Sequence, residues 1–387
     1  MNIGVDATCW HNRRGYGRHA RSLLGSLVRL DTANRYTLFL DSTEAAEPTP
    51  DGCEVRLLPS SVPTVQAASA AGRRSIRDMW GMSRALSSAE FQLLLFPTVY
   101  SYVPVCTPAR KLVMMHDVIA ETFPGLTVPR PAARFFWNAK VAMGRLQADA
   151  LITVSDYSKD CIVKRFGTNP DRVFVVGEAA DPVFRRVENP APGPRLQALG
   201  IDPQQRIAVY VGGFSPHKNL EALVTAFSRI AGQTEFDDVV LVMVGDTSGD
   251  AFHTYYGTIA AQVEALGLQR RVRFTGFMDD SDLVVLLSMA SVLVLPSLME
   301  GFGLPAVEAA ACGCPVIATN ASPLEGLLGR GGIFIDPSED QIGSALRQVL
   351  SSPELRQTMR AAGLKAAARL TWDQAARQLL DVIANVA

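Results

Sequence analysis

Two glutamates, Glu300 and Glu308, stand eight residues apart in "PSLMEGFGLPAVEAAACGCPV", a stretch that is otherwise small, apolar and glycine-rich. Ionised carboxylates accept hydrogen bonds from hydroxyls. The glycines of "EGFG" strip side chains from a turn, Pro305 suits the first position of a helix, and Gly313 suits its end. Glu300 is therefore expected in the loop and Glu308 about one turn into the helix, both pointing into one crevice. The amides of Phe302, Gly303 and Leu304 at the helix start then form an anion site flanked by hydroxyl acceptors.

Three other places carry chemistry. "YVGGFSPHKNLEALVTAF" has Gly212, Gly213 and Pro216 before Lys218, and a lysine beside a glycine-rich turn suits phosphate neutralisation. It lacks the G-K-[ST] ending of a P-loop, which disfavours nucleotide hydrolysis of that type. "MMHD" ends an apolar run in His116 and Asp117, a pair that contacts a substrate hydroxyl or serves as base, with a capped loop as the alternative. "HNRRGYGRHA" sets Gly15 and Gly17 at the start of an amphipathic helix with Arg18, where a backbone free of side chains admits an anion or simply turns. Polyol acceptors beside a diphosphate cradle describe a nucleotide sugar. The D-x-D within "DDSD" (279–282) precedes an apolar helix and reads as capping, and Cys312-x-Cys314 has no partner ligand nearby, so no metal is expected.

These groups need rigid elements behind them. At 387 residues the chain suits two domains, and 48% hydrophobic with 19% charged residues describes a folded protein without a charged tail. Residues 1–190 hold 23 lysines and arginines against 18 acids, the remainder 14 against 20. The mild basic excess of the first half fits a phosphate-bearing substrate or an anionic membrane surface, or only a spread of solvated arginines. Nucleic acid is not an expected partner. Short Val/Ile/Leu runs alternate with helical patterns twice over, at 2–7, 36–40, 54–58, 91–97, 111–117, 150–155 and 172–177, then at 206–213, 239–246, 272–276, 291–297, 315–319 and 332–336. Such runs are strands buried on both faces, so each half is a doubly wound α/β domain with a parallel sheet. Domains are expected at 1–185 and 186–370, with a proline- and glycine-rich seam at 185–205 and a last amphipathic helix at 371–387. The apolar runs are too short to span a bilayer and no leader pattern opens the chain, so a cytoplasmic protein is expected. The scattered cysteines read as small core residues in a reducing compartment.

The Glu300-x7-Glu308 stretch resembles the signature of the GT4 family of retaining glycosyltransferases, which have the GT-B fold: two Rossmann-like domains facing a central cleft. The likeness extends to "GVDATCWHNRRGYGRHARSLL", "MMHDVI", "LITVSDYSKDCIVKRFG" and "VGGFSPHKNLEALVTAF", and the final "LTW" helix resembles one that crosses back to the amino-terminal domain. The resemblance implies that Glu308 takes the ribose hydroxyls, and that Glu300 with the amides of Phe302, Gly303 and Leu304 holds the transferred sugar. Lys218 would neutralise the diphosphate, with Gly213 in the same loop, and Phe277 would lie beside the base. His116, Gly15 and Gly17 would approach from the amino-terminal domain, with Asp117 and Arg18 on the acceptor side. Many members carry an arginine where this chain has Gly213, so further positive charge would come from His217 or Arg18.

By the same resemblance the activity is hexosyl transfer, with mannose from GDP-mannose, to a glycan or lipid-linked acceptor in cell-surface polysaccharide synthesis. No cofactor or metal is implied beyond the nucleotide sugar. Peripheral contact with the inner membrane surface and domain closure about the seam are further expectations. A sugar-nucleotide epimerase or phosphorylase on the same scaffold, or a non-catalytic nucleotide-sugar-binding protein, are the alternatives.

Overall fold

The computed structural model describes all residues except 13–14, 42–47, 59, 61–74, 89, 203, 248–253 and 387. Arg13 and Arg14 of the first loop and residue 203 of the expected seam thus lie outside the described residues. The chain forms two compact units, Met1–Glu178 with Thr371–Ala387, and Ala179–Leu370.

The first unit is built on a seven-stranded sheet, and every strand pairing in it is parallel. Its strands are β1 (Asn2–Asp6), β2 (Arg35–Leu40), β3 (Glu54–Leu57), β4 (Leu93–Phe96), β5 (Arg110–Met114), β6 (Ala150–Thr153) and β7 (Val173–Val175), in the order 3-2-1-4-5-6-7. The longer helices are α1 (Gly15–Leu30), α2 (Ile76–Leu86), α3 (Pro131–Gln147) and α4 (Asp156–Phe166). Helix α1 forms where Ala20, Leu23, Leu24 and Leu27 recur at helical spacing and bury one stripe. Ser155 caps α4, its side chain accepting from the Ser158 amide, and Gly167 ends that helix in the left-handed region at φ 62°. The last helix, Trp372–Val386, packs on α1 through Trp372, Ala376, Leu379 and Ile383. Gln378 Oε1 accepts from the Gly177 amide at 2.9 Å, and Arg29 pairs with Asp373, so both faces of that helix are tied within the unit.

The second unit repeats the plan with six parallel strands. They are β8 (Arg206–Val211), β9 (Val239–Val244), β10 (Val272–Gly276), β11 (Val292–Leu295), β12 (Val316–Thr319) and β13 (Gly332–Ile335), ordered 10-9-8-11-12-13. Its main helices are α5 (Leu220–Ala231), α6 (Tyr256–Ala265), α7 (Asp280–Met289), α8 (Leu304–Ala311), α9 (Glu339–Ser351) and α10 (Pro353–Ala367). Strand β9 reads VVLVMV and is buried at every position, as a strand covered on both faces must be. The division between units falls at Glu178/Ala179 rather than at 185. Residues expected as a seam are folded onto the second unit: Leu196 is fully buried, Ile201 nearly so, and the Val187 amide donates to Ser288 Oγ at 3.1 Å. Pro194 starts a short helix there, Pro194–Ala198.

Cys9, Cys312 and Cys314 are core residues as expected, but Cys53 and Cys161 are half-buried and Cys106 is exposed. All six are free thiols.

Candidate functional site

In a doubly wound sheet the strand order reverses between neighbours whose connections leave in opposite directions, and a crevice opens at their carboxyl ends. In the second unit that point lies between β8 and β11. The loops leaving these two strands are "GGFSPHKN" and "PSLMEGFG", the two richest in candidate residues.

The β8 loop is shaped by backbone demands. Gly212 has φ 156°, and a Cβ there would sit 2.6 Å from the Tyr210 hydroxyl, which donates to the Gly213 carbonyl at 2.6 Å. Gly213 therefore serves the turn, its carbonyl occupied by Tyr210. Pro216 opens a 3-10 turn ending in Asn219, a non-glycine residue in the left-handed region at φ 57°. The Asn219 amide side chain explains the strain: it donates to Pro296 O at 3.1 Å and to Pro337 O at 2.7 Å, pinning the loop to the ends of β11 and β13. The Leu298 amide donates to His217 O at 2.9 Å, adding a second tie between the loops.

Held this way, Lys218 Nζ reaches Glu300 Oε1 at 2.7 Å, across 82 residues of sequence. Glu300 also accepts from the Ser297 hydroxyl, and its own amide donates to Ala321 O at 3.1 Å. It is 7% exposed. Gly303 then takes φ 85° to start α8, and a Cβ at that position would meet Leu324 Cδ1 at 2.8 Å, so only glycine fits. Pro305 occupies the first turn, and Gly313 at φ 76° follows the helix end. The first amides of α8 have no acceptor within the helix, which makes this end an anion-binding feature. Phe302 is buried beside it and Glu308 is 5% exposed inside α8. Phe277 follows β10 with 47% of its surface exposed, an apolar ring standing free at the same carboxyl edge of the sheet.

Two expectations change here. His217 cannot add charge for a phosphate, because burial and the neighbouring Lys218 push its pKa down to about 3 and leave it neutral near pH 7. The Asp279–Asp282 run does start α7, with Asp279 at the cap position, but its side chain makes no capping hydrogen bond. The carboxylates act there as acidic residues in the first turn, favoured by the helix dipole.

In the first unit, His116 and Asp117 lie just beyond β5 rather than inside it. Asp117 Oδ1 accepts from the Ile119 amide at 2.9 Å and so fixes the following turn, as the capped-loop alternative requires. Burial and the neighbouring His19 hold the His116 pKa well below the usual histidine range, so the ring is neutral. Gly15 is exposed at the first position of α1. Gly17 is required for another reason than ligand approach: a Cβ there would fall 1.8 Å from the Asn12 carbonyl oxygen. The chain's own loop fills that space, and Arg21 ties it by donating to Asn12 O at 3.0 Å and to Trp10 O. Arg18 is half-buried on the same helix.

Sequence reasoning missed Glu121. It lines a cleft with Tyr100, His116, Asp117 and Trp137, and its Oε1 accepts from the Trp137 indole at 2.7 Å. Burial raises its pKa to about 7. The spacing of "HDVIAET" gave no hint, since the indole that completes the pair comes from α3. His19 and Glu178, 2.7 Å apart, were likewise not singled out. Among the described residues no helix is long and apolar enough to cross a membrane.

The chain is similar to known proteins. The chain matches the family Glycosyl transferases group 1 over residues 195–366, the segment that holds Lys218, Glu300 and Glu308. It is 28% identical to O-antigen chain mannosyltransferase B of Escherichia coli over 275 residues, 70% of this chain and 69% of that one. It is 29% identical to D-inositol 3-phosphate glycosyltransferase of Rhodococcus jostii over 259 residues, 65% of this chain and 55% of that one. Among solved structures, sucrose-phosphate synthase from Thermosynechococcus elongatus superposes with a TM-score of 0.78 at 19% identity, covering 100% of this chain and 99% of that one. Residues 195–366 match the group 1 glycosyl transferases, and the chain as a whole has the two parallel-sheet units of the GT-B glycosyltransferase fold.

Proposed function

We propose that this protein is a retaining hexosyltransferase that takes mannose from GDP-mannose and passes it to a glycan or lipid-linked acceptor in cell-surface polysaccharide synthesis. The observation that carries the reading is the Lys218–Glu300 pair set beside the amino terminus of α8, with Glu308 one turn further on. A diphosphate anion matches Lys218 and the α8 amides. A ribose diol matches Glu308, a hexose matches Glu300 with the amides of Phe302, Gly303 and Leu304, and a base matches the exposed ring of Phe277. The likeness to an O-antigen chain mannosyltransferase of Escherichia coli favours mannose as the sugar and a cell-surface polysaccharide as the product.

In the proposed step the acceptor oxygen bonds to the anomeric carbon on the face that the diphosphate leaves. The carbon–phosphate-oxygen bond breaks, and the departing diphosphate takes the acceptor's proton. Lys218 and the α8 amides stabilise the departing charge, so no divalent cation is needed. The Ser297 and Lys218 contacts of Glu300 favour a part in holding hydroxyls over attack on carbon. The amino-terminal unit takes the acceptor, with neutral His116, Asp117 and Arg18 as its polar groups. Helix α3 supports peripheral contact with an anionic membrane on the cytoplasmic side: its charged residues are all basic, and Phe135 and Phe136 are 70% and 71% exposed.

The test is turnover of a nucleotide-sugar panel in EDTA with a glycan acceptor, read as released nucleoside diphosphate and as the product's anomeric configuration by NMR. GDP-mannose should be consumed with retention, and Glu300→Gln should lower kcat at least a hundredfold. An inverted product would sink the mechanism, dependence on added metal would sink metal independence, and sugar conversion without nucleoside diphosphate release would mark an epimerase.

A further inference from the structure

The first unit gathers three metal-capable side chains that the transfer reading does not explain together. His19 comes from α1, His116 from the turn after β5, and Glu178 from the segment after β7. One ligand atom of each lies within 4.8 Å of those of the other two. His19 is 1% exposed and Glu178 8% exposed, so two members are withdrawn from water.

Their hydrogen bonding is incomplete. His19 Nδ1 comes within 2.7 Å of Glu178 Oε1, yet neither nitrogen of His19 nor of His116 has an aligned hydrogen-bond partner. Buried polar atoms are ordinarily satisfied, and three imidazole nitrogens with no partner beside a fourth that meets only a carboxylate are an unusual concentration. The two imidazoles meet edge to face with centroids 4.7 Å apart, and Tyr16 and Trp372 wall them at 5.2 Å and 5.5 Å. None of these neighbours supplies the missing acceptors.

We infer that His19, His116 and Glu178 form a binding site for one divalent transition-metal ion of the Zn2+ class. Two imidazoles and a carboxylate match Zn2+ or Co2+, whereas Mg2+ and Ca2+ require six or more oxygens. At metal–ligand bonds of about 2.1 Å, tetrahedral donors stand about 3.4 Å apart. No pair here is more than 4.8 Å apart, so closure onto an ion takes at most about 1.4 Å. Three protein ligands leave a fourth position for water. Where the transfer reading holds, a metal on His116 takes the lone pair assigned to substrate, so the ion acts against transfer rather than for it.

Titrating the full chain, stripped of metal by a chelator, with Co2+ tests the site without reference to activity. One equivalent should bind with the visible bands of four-coordinate Co2+, without the near-ultraviolet band of a cobalt thiolate, and Zn2+ should displace it. His19→Gln and Glu178→Gln should each weaken binding about a hundredfold. His116→Asn, at a half-buried position, removes the third ligand should the other variants fail to fold. Absence of stoichiometric binding, a thiolate band assigning the ion to cysteines, or wild-type affinity in folded variants would overturn the inference.

Discussion

Lys218→Met offers the sharpest physical test of the second unit's site. Glu300 is 7% exposed and its lysine partner lies 2.7 Å away. Removing the ammonium leaves a nearly buried carboxylate with only the Ser297 hydroxyl, and an orphaned buried charge costs about 3 kcal/mol. Glu300→Gln is milder, because the amide oxygen still accepts from Ser297 and the lysine stem, 20% exposed, can turn to water. It should cost about 1 kcal/mol. The double variant leaves no unpaired charge, so its loss should be about 2 kcal/mol rather than the summed 4, a coupling of about 2 kcal/mol. With a urea slope of about 2 kcal/mol/M, Lys218→Met should lower the midpoint by about 1.5 M. Far-ultraviolet circular dichroism is the suitable probe, because all four tryptophans, Trp10, Trp80, Trp137 and Trp372, belong to the first unit. Additive losses within about 0.5 kcal/mol, or a methionine variant no worse than the glutamine one, would refute the coupled pair.

Gly303→Ala combines a left-handed backbone with a Cβ 2.8 Å from Leu324, and should cost about 2–4 kcal/mol in the same assay; a wild-type midpoint would contradict the geometry. Asn219→Ala should cost about 2 kcal/mol, for two lost hydrogen bonds and the left-handed backbone. Asn219→Gly should recover only the backbone part, so equal losses in the two variants would argue against it. Glu121, nine-tenths buried, has its carboxyl pKa raised to about 7, so the folded state holds a proton that the unfolded chain releases near pH 4.5. Its stabilising contribution is complete below pH 4.5 and is lost as pH rises through 7, a fall of roughly 3 kcal/mol. Comparing wild type with Glu121→Gln across that window checks it, and identical slopes would refute the assignment.

The architecture was legible because most strands are short, largely apolar runs, and each expected run overlaps one strand; β3, at the sheet edge, is the exception in being mostly exposed. The ends were less so. "KLVMMHD" continues past Met114, where the β5 ladder stops, because apolar burial persists after strand pairing ends. Glu300 and Glu308 were placed correctly on loop and helix from Gly303, Pro305 and Gly313, residues whose backbone requirements are local. What sequence could not show was long-range pairing: Lys218 with Glu300, Asn219 with Pro296 and Pro337, and His19 with Glu178 all join segments far apart in the chain. Gly17 shows the converse, a residue singled out correctly whose reason is the Asn12 carbonyl packed against it. His217 failed as a cation because burial, a product of folding, joins the adjacent Lys218 in lowering its pKa.

The most direct test of the donor-site account is calorimetric titration of the wild type and Glu308→Ala with nucleoside diphosphates in EDTA. One nucleoside diphosphate, GDP first among them, should bind the wild type, and the variant should lose at least tenfold in affinity while its circular dichroism is unchanged. Binding of none of them, or equal binding by a folded Glu308→Ala, would contradict it.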